Sequence, residues 1–210
     1  SSQRKFIKIN VKLPILLGKL AKELNIKTII QLSALNANKI HDSNYTYYKY
    51  ESEKVLQNEF SNAIIIRPCI IFGENDNFLC NIKNIIQHTT IFPILKQKSS
   101  NFQPIYVGNV TEVITKILLE PESYHSKTIE LGGKELLSIK QIALLMAKQL
   151  NKKITFIKLP YPILYLVSQL YCLFSSPIIT KEQMQLLKQN NVIKKENNLI
   201  FIDSFHRKQY

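Results

Sequence analysis

The sequence predicts an α/β fold. Apolar stretches of strand length alternate along the chain with longer segments whose apolar residues recur at helical spacing. Two helix–strand units follow one another near the start, which is the pattern of a parallel sheet with helices on its faces. Both charge signs are present and 45% of the residues are hydrophobic, as is typical of a globular protein.

The first helix–strand unit lies between Pro14 and Leu32. Pro14 suits the first turn of a helix because its missing N–H costs nothing there, and Asn25 can end the helix. The run from Ile26 to Leu32 then predicts a short buried strand. Apolar residues of the helix recur at three- and four-residue spacing and form one stripe, which consists of Leu13, Leu16, Leu17, Leu20, Ala21 and Leu24.

The second unit is a helix capped by Ser43 or Asn44 that extends to about Phe60, and a buried strand from Ala63 to Arg67 follows it. Later segments predict further α/β structure with similar signals. These are a strand from Pro104 to Gly108, a helix from an Asn109–Glu112 capping box to Leu119, a strand from Lys127 to Leu131 before a Gly132-Gly133 turn, a helix opened by a Ser138–Gln141 capping box, and a strand from Ile154 to Leu159.

The composition gives little information about partners. A net charge of +13 favours anionic partners, but the lysines are spread along the whole chain without a long run. This distribution is more typical of a solvated surface than of a nucleic-acid site. The three cysteines are far apart and the four histidines are scattered, so the sequence predicts neither a disulfide framework nor a metal site. The cysteine pattern is consistent with a reducing compartment.

Tyr45 and Lys49 are the first candidates for a functional site. They stand four residues apart on the second predicted helix and therefore share one face, where a phenol can act as general acid/base beside a cation. Ser33 directly follows the preceding strand, at the carboxyl end where open α/β sheets place their ligands. Tyr50 and Lys54 form a second pair with the same spacing. The alternative to a functional site on this helix is that the clustered tyrosines only pack the helix against its sheet.

Six short segments, in order along the chain, resemble the atypical extended short-chain dehydrogenase/reductase family, in particular its branch of accessory subunits of respiratory complex I. The segments span nearly the entire chain, so their ordered agreement is more specific than any single motif. They are Gln31–Lys39, the stretch SNYTYYK that ends at Lys49, Ile64–Leu79, Gln103–Val110, Ile129–Gly133 and Ser176–Ile193.

The resemblance implies a catalytic triad of Ser33, Tyr45 and Lys49. It also implies a site for NAD or NADP in which Tyr45 and Lys49 contact the cofactor and Arg67 and Pro68 end the next strand beside it. Asn109 stands where members of the family usually carry Asp.

A glycine-rich loop is the family feature that this chain lacks. None of its five glycines has the Gly-x-x-Gly-x-x-Gly spacing that presents backbone N–H groups to a pyrophosphate. Alignment with the family therefore implies an N-terminally truncated chain without the first four strands. We expect residues 1–120 to form an incomplete Rossmann-like domain and residues 121–210 to form a small α/β domain.

The segment 159–179 contains no charged residue and is long enough to cross a bilayer. Its three prolines argue against a spanning helix and leave a tyrosine-rich apolar helix from about Ile163 to Phe174. The sequence leaves open whether this helix packs in the core of the small domain, docks at a membrane or protein interface, or spans a bilayer.

The resemblance implies an NAD(P)-binding accessory or assembly component of an NADH:ubiquinone oxidoreductase, which is not itself the redox catalyst. Its expected partners are complex I subunits or a membrane surface, in the cytoplasm or on the inner face of the membrane. Two alternatives stay open. One is an NAD(P)-dependent epimerase, dehydratase or reductase that uses the Ser-Tyr-Lys triad, and the other is an inactive fragment of a split or decaying gene.

Overall fold

The computed structural model describes residues 7–37, 44–74, 76–96, 100–174, 189–193 and 200–202. A π-helical turn over Lys8–Lys12 leads into the first helix, and a 3₁₀ turn spans Pro121–Tyr124. The α-helices of this described part are α1 Leu13–Glu23, α2 Asn44–Glu59, α3 Asn77–His88, α4 Val107–Leu119, α5 Ile139–Gln149 and α6 Tyr161–Phe174.

The strands of the described residues alternate with these helices. They are β1 Ile30–Leu32, β2 Ile64–Pro68, β3 Ile71–Phe72, β4 Ile91–Leu95, β5 Asn101–Phe102, β6 Ile105–Tyr106, β7 Thr128–Gly133, β8 Leu137–Ser138, β9 Thr155–Leu159 and β10 Ile200–Ile202.

The main sheet has the strand order β1-β2-β7-β10, and all of its strand pairs are parallel. Ile30 pairs with Ile64 on the neighbouring strand, and Ile66 pairs with Ile129 on the next. Parallel pairing requires crossover connections, which α2 and α4 provide. The predicted α/β fold with a parallel, Rossmann-like sheet is confirmed.

Both faces of the main sheet are covered, as is usual for parallel sheets. Because successive side chains of a strand point to opposite faces, Ile64 and Ile66 pack with the apolar side of α4, whereas Ile65 packs with Ala21 of α1 and Leu56 of α2. All three isoleucines of β2 are fully buried. This packing fixes α2 across the sheet and thereby sets the positions of the predicted site residues.

The second core lies between α3, α5 and the short strands of the later chain. Phe102 and Ile86 are fully buried in it, and the parallel pair β4 and β9 closes one side. Strand β7 pairs with β2 in the main sheet, so that sheet takes strands from both sides of the boundary predicted at residue 120. The domain boundary itself stays a prediction.

Local signals predicted some element ends correctly and others incorrectly. The Ser138–Gln141 capping box is confirmed, because the Ser138 hydroxyl accepts from the Gln141 N–H and the Gln141 side chain accepts from the Ser138 N–H. The capping box at Asn109 is wrong. Helix α4 begins at Val107, so that Asn109 lies buried within its first turn.

The turn predicted at Gly132-Gly133 is also wrong, because both glycines extend strand β7. Parallel pairing of this segment with β10 supplies backbone hydrogen bonds for it. A Cβ on Gly132 would come within 3.1 Å of the Ile193 side chain, so this glycine serves a close approach rather than a turn.

Candidate functional site

The site begins at the carboxyl end of β1, where Ser33 follows the strand. The Ser33 N–H donates to the carbonyl oxygen of Ile66 at 2.7 Å, which continues the strand pairing and holds Ser33 buried against β2. Helix α2 crosses the same end of the sheet. The structure therefore places Ser33 near one face of α2, although residues 34–43 separate them in the sequence.

Tyr45, Lys49 and Glu53 recur every four residues and lie along one face of α2. The Lys49 ammonium lies 6.0 Å from the centroid of the Tyr45 ring, at the outer limit of a cation–π contact. The Tyr-x-x-x-Lys pair is therefore together, as the sequence predicts. Glu53 extends the series by one turn into the protein.

Glu53 is a buried carboxylate on which two further site residues converge. Its side chain is 3% exposed and forms an ion pair with Arg67 of β2. The Arg67 Nε donates to both carboxylate oxygens at 3.0 and 3.2 Å, and one terminal guanidinium nitrogen donates at 2.5 Å. The Ser33 hydroxyl donates to the same carboxylate. Arg67 and Ser33 therefore converge on one buried carboxylate, which joins β1, α2 and β2.

Sequence reasoning missed Glu53. The available signal was its position four residues after Lys49, which puts it on the face already assigned to Tyr45 and Lys49. Arg67 was predicted beside the cofactor, and the structure places its guanidinium on Glu53. Pro68 ends β2, and its carbonyl accepts from the Leu35 N–H at 3.0 Å.

Burial dominates the electrostatics of the Tyr45–Lys49 pair. Desolvation raises the pKa of the Tyr45 phenol above its usual value of 10.0. Burial also lowers the pKa of Lys49, and the Glu53 carboxylate opposes this effect. For Arg67, burial acts to lower the pKa, but the hydrogen bond and the charge of Glu53 outweigh it and leave the pKa raised.

The second Tyr-x-x-x-Lys pair has a similar local contact. The Lys54 ammonium lies 5.5 Å from the centroid of the Tyr50 ring, but Lys54 itself is exposed. Tyr47 and Tyr48 pack edge to face at 5.2 Å between ring centroids. Some of the clustered tyrosines therefore pack against one another, which agrees with the alternative in which these tyrosines have a packing role. The four-residue spacing of tyrosine and lysine is shared by both pairs and does not distinguish them.

The site offers two groups that can hydrogen-bond a ligand, the Tyr45 phenol and the Lys49 ammonium, whereas the Ser33 hydroxyl is already donated to Glu53. The glycines of the chain do not provide a phosphate cradle in the part that the structure describes. A Cβ on Gly73 would come within 2.7 Å of the Val107 side chain, so its missing side chain makes room for packing within the protein.

Helix α6 occupies the segment that the sequence marks as uncharged. Its side chains Ile163 and Leu166 are each about half exposed, whereas Leu164 is buried. Within the described residues, no helix has the length and hydropathy needed to cross a bilayer. The last five residues of the predicted segment, 175–179, lie outside the described part of the chain.

Comparisons with known proteins find similar sequences and similar folds. Residues 27–126 match the model of the 3-beta hydroxysteroid dehydrogenase/isomerase family. This range contains β1, α2 and β2, and therefore every residue of the candidate site.

Two relatives carry the same name, NADH dehydrogenase [ubiquinone] 1 alpha subcomplex subunit 9, mitochondrial. The protein of Mus musculus is 27% identical over 90% of this chain and 50% of its own length. The protein of Arabidopsis thaliana is 29% identical over 66% of this chain and 34% of its own length. The chain thus spans half or less of the length of these relatives.

Among solved structures, the UDP-glucuronic acid 4-epimerase from Bacillus cereus superposes on 73% of this chain with a TM-score of 0.63 and 18% sequence identity. The superposition covers 55% of the epimerase and shows a shared fold. The matches in sequence and in fold confirm the resemblance expected from the six segments. The chain is therefore similar in sequence to the 3-beta hydroxysteroid dehydrogenase/isomerase family over residues 27–126 and similar in fold to a UDP-glucuronic acid 4-epimerase.

Proposed function

We propose that this chain forms the nicotinamide-side half of an NAD(P)-binding domain in an accessory component of an NADH:ubiquinone oxidoreductase, and that the domain binds its nucleotide structurally. The observation that carries the proposal is a hydrogen bond in which the Ser33 hydroxyl donates its proton to the buried Glu53 carboxylate. The proton of this serine is therefore engaged within the protein, away from the Tyr45 phenol.

The ionisation of Tyr45 supports a binding role over catalysis. A tyrosine that acts as general acid/base needs a pKa brought down toward the working pH. Burial moves the pKa of Tyr45 in the opposite direction, and Lys49 lies over the ring. The phenol then stays protonated near neutral pH, where it can donate a hydrogen bond to a ligand.

The other site residues have separate tasks in this proposal. Tyr45 and Lys49 bind the nicotinamide ribose. The contacts among Ser33, Glu53 and Arg67 instead hold α2 against the end of the sheet. A bound nicotinamide cofactor would itself supply hydride chemistry. The identity of the nucleotide, NAD or NADP, depends on the ribose-reading residue of the adenosine side, for which this chain offers no candidate.

The similarity to two subunits named for NADH dehydrogenase supports the choice of partner, since one of them matches 90% of the chain. Helix α6 offers a surface for such docking, because Ile163 and Leu166 are exposed on it. A peripheral position on the large complex or the adjoining membrane surface would cover these side chains.

A nucleotide-binding measurement on the protein isolated with its natural partners tests the binding role. The fluorescence of bound NADPH or NADH reports affinity, and Lys49→Met should weaken it roughly tenfold, as expected for the loss of about 1.4 kcal/mol. Lys54→Met, on the exposed Tyr50–Lys54 pair, is the matched control and should leave the affinity unchanged. Equal affinities for all three proteins would contradict the assignment of Lys49.

The second candidate is an NAD(P)-dependent epimerase, dehydratase or reductase, favoured by the paired Tyr45 and Lys49 and by the fold shared with an epimerase. Tyr45→Phe distinguishes the two. In the structural proposal, this variant binds the nucleotide more weakly, because one hydrogen-bond donor is lost, but it still co-purifies with the oxidoreductase to the normal extent. Turnover of a sugar nucleotide that the Tyr45→Phe variant abolishes would establish the enzyme instead.

A further inference from the structure

Glu130 is a second buried carboxylate, which strand β7 carries next to the Glu53–Arg67 pair. It is only 6% exposed. Proteins rarely bury a charged carboxylate unless a cation or several donors pair with it, because the carboxylate loses its hydration. The position of Glu130 in the main sheet identifies the cation.

The register of the main sheet puts Glu130 beside Arg67. These two residues are partners in the parallel pairing of β2 with β7, and neighbouring strands lie about 4.8 Å apart. Successive side chains of a strand point to opposite faces. Ile66 and Ile129, which precede the two residues, both pack on the α4 side, so Arg67 and Glu130 both point to the α2 side.

An apolar side chain covers this face beyond Glu130. Two residues farther along each strand, Cys69 and Gly132 both meet Ile193, which is itself buried. By the same alternation, Cys69 lies on the face of Arg67 and Gly132 lies on the face of Glu130. Glu130 is therefore located between this apolar cover and the Arg67 guanidinium.

The charge of Glu130 acts on both of its neighbours in β2. Burial acts to lower the pKa of Arg67, whereas Glu53 and then Glu130 raise it. For Cys69, burial raises the pKa and the charge of Glu130 adds to this effect. Both effects agree with the strand register, which places Glu130 at this level of the sheet.

Glu53 does not engage all donors of the Arg67 guanidinium. It accepts from Nε and from one terminal nitrogen. A guanidinium has five N–H donors in a planar fork, and the other terminal nitrogen of Arg67 makes no hydrogen bond with Glu53. A second carboxylate can therefore act on Arg67 without displacing Glu53.

The charges on this face alternate in sign from α2 to β7. They belong, in order, to Lys49, Glu53, Arg67 and Glu130, and they sum to zero. Without Glu130, the pair of Glu53 and Arg67 would be neutral, and these groups would leave the charge of Lys49 unbalanced. Removal of one partner from a set of buried charges is costly, because the remaining charge stays buried.

We propose that Glu130 is a positioning residue of the candidate site. From β7 it holds the Arg67 guanidinium on Glu53, and this arrangement leaves a net negative charge beside Lys49. Its effect on a bound nucleotide is indirect, through Arg67, Glu53 and Lys49. That last step rests on the proposed nucleotide site, whereas the hold on Arg67 rests on the sheet alone.

The Nε–H signal of Arg67 in a proton–nitrogen correlation spectrum of the full chain tests this role. The sequence holds three arginines, Arg4, Arg67 and Arg207, so Arg67→Lys identifies the signal by removing it. The rate at which this proton exchanges with water is then measured without nucleotide. Glu130→Gln keeps the shape of the side chain and removes its charge. Glu122→Gln, at an exposed position on the turn before β7, is the matched control.

The expected result is slow exchange for the original protein and for Glu122→Gln, and exchange about tenfold faster for Glu130→Gln, the equivalent of about 1.4 kcal/mol. Glu130→Asp retains the charge and should exchange more slowly than Glu130→Gln. An Arg67 signal that Glu130→Gln leaves unchanged would overturn the proposal, and so would equal rates for Glu130→Gln and Glu130→Asp.

A second variant covers the case in which Glu130→Gln does not fold. Combined with Arg67→Met it should fold, because the remaining charges of Lys49 and Glu53 again sum to zero. A double variant that also fails to fold contradicts the proposal.

NADPH titration of the same proteins separates this inference from the proposed function. Glu130→Gln should weaken NADPH binding by about threefold, since its charge acts on Lys49 only at a distance. If Glu130→Gln changes the Arg67 signal but the original protein binds no NADPH, the hold on Arg67 stands and the proposed function fails. If NADPH binds and the Arg67 signal is unchanged, the proposed function stands and the role of Glu130 is refuted.

Discussion

Replacement of Glu53 by glutamine tests how much the buried carboxylate contributes to the site and to the fold. Glu53 carries the negative charge for Arg67 and accepts from the Ser33 hydroxyl. Both residues of the ion pair are largely buried, with side chains 3% and 13% exposed. Glu53→Gln keeps the shape of the side chain but removes the carboxylate that pairs with the guanidinium, and only the more indirect charge of Glu130 remains.

The expected loss follows from the number and kind of contacts. Breaking a buried pair by removal of one partner costs about 3–5 kcal/mol, because the remaining charge stays buried. Glutamine retains one acceptor oxygen, so we expect about 2–3 kcal/mol for Glu53→Gln, near the value of a hydrogen bond to a charged group. A second change, Arg67→Met, removes the stranded charge and should restore part of the lost stability in the double variant.

Urea unfolding at neutral pH, followed by circular dichroism, measures these free energies of unfolding. Glu51→Gln, on the same helix, is the control and should change the stability by less than about 0.5 kcal/mol. The reasoning is refuted if Glu53→Gln is no more destabilising than Glu51→Gln, or if the losses of Glu53→Gln and Arg67→Met simply add.

Three other predictions follow from burial and packing. The Tyr45 phenol should ionise above pH 10.0 in a difference titration against Tyr45→Phe, because burial raises its pKa. Since this pKa is raised in the folded state, the contribution of Tyr45 to stability is present below pH 10.0 and is lost as the pH rises above that value. Burial raises the pKa of Cys69 to about 12, so mass-spectrometric mapping of a thiol reagent at pH 8 should find Cys80 modified long before Cys69. Gly18→Ala should destabilise the fold by about 1–3 kcal/mol in urea unfolding, because the new Cβ would come within 2.7 Å of the Cβ of Glu59 and force α1 away from α2.

Each of these predictions has a matched control. Tyr47 is 37% exposed on the same helix, so Tyr47→Phe is the control for the loss of a phenol outside the buried site. Lys19→Ala, beside Gly18 on the exposed face of α1, should change the stability by less than about 0.5 kcal/mol. Equal labelling rates for the two cysteines would show that Cys69 is not shielded, and a Tyr45 phenol that ionises below pH 10.0 would contradict its burial.

The alternation of helical and strand patterns determined the α/β class and the parallel sheet, because helix and strand periodicities are local properties of the chain. It also placed Ser33 at a strand end and Tyr45 with Lys49 on one helix face. The prediction of a cap at Asn109 was wrong because a capping sequence competes with tertiary packing, and here the helix begins two residues earlier.

Only the tertiary structure decided what the site residues contact. No local pattern brings Ser33, Glu53 and Arg67 together, since they come from a strand end, a helix and the next strand, and their common point is fixed by how α2 crosses the sheet. The same is true of the apolar spacing of α1. It shows that one side of the helix is apolar, but the structure buries Pro14, Gly18 and Ala21 and leaves the leucines at least 40% exposed, because packing against α2 and the sheet selects the buried face.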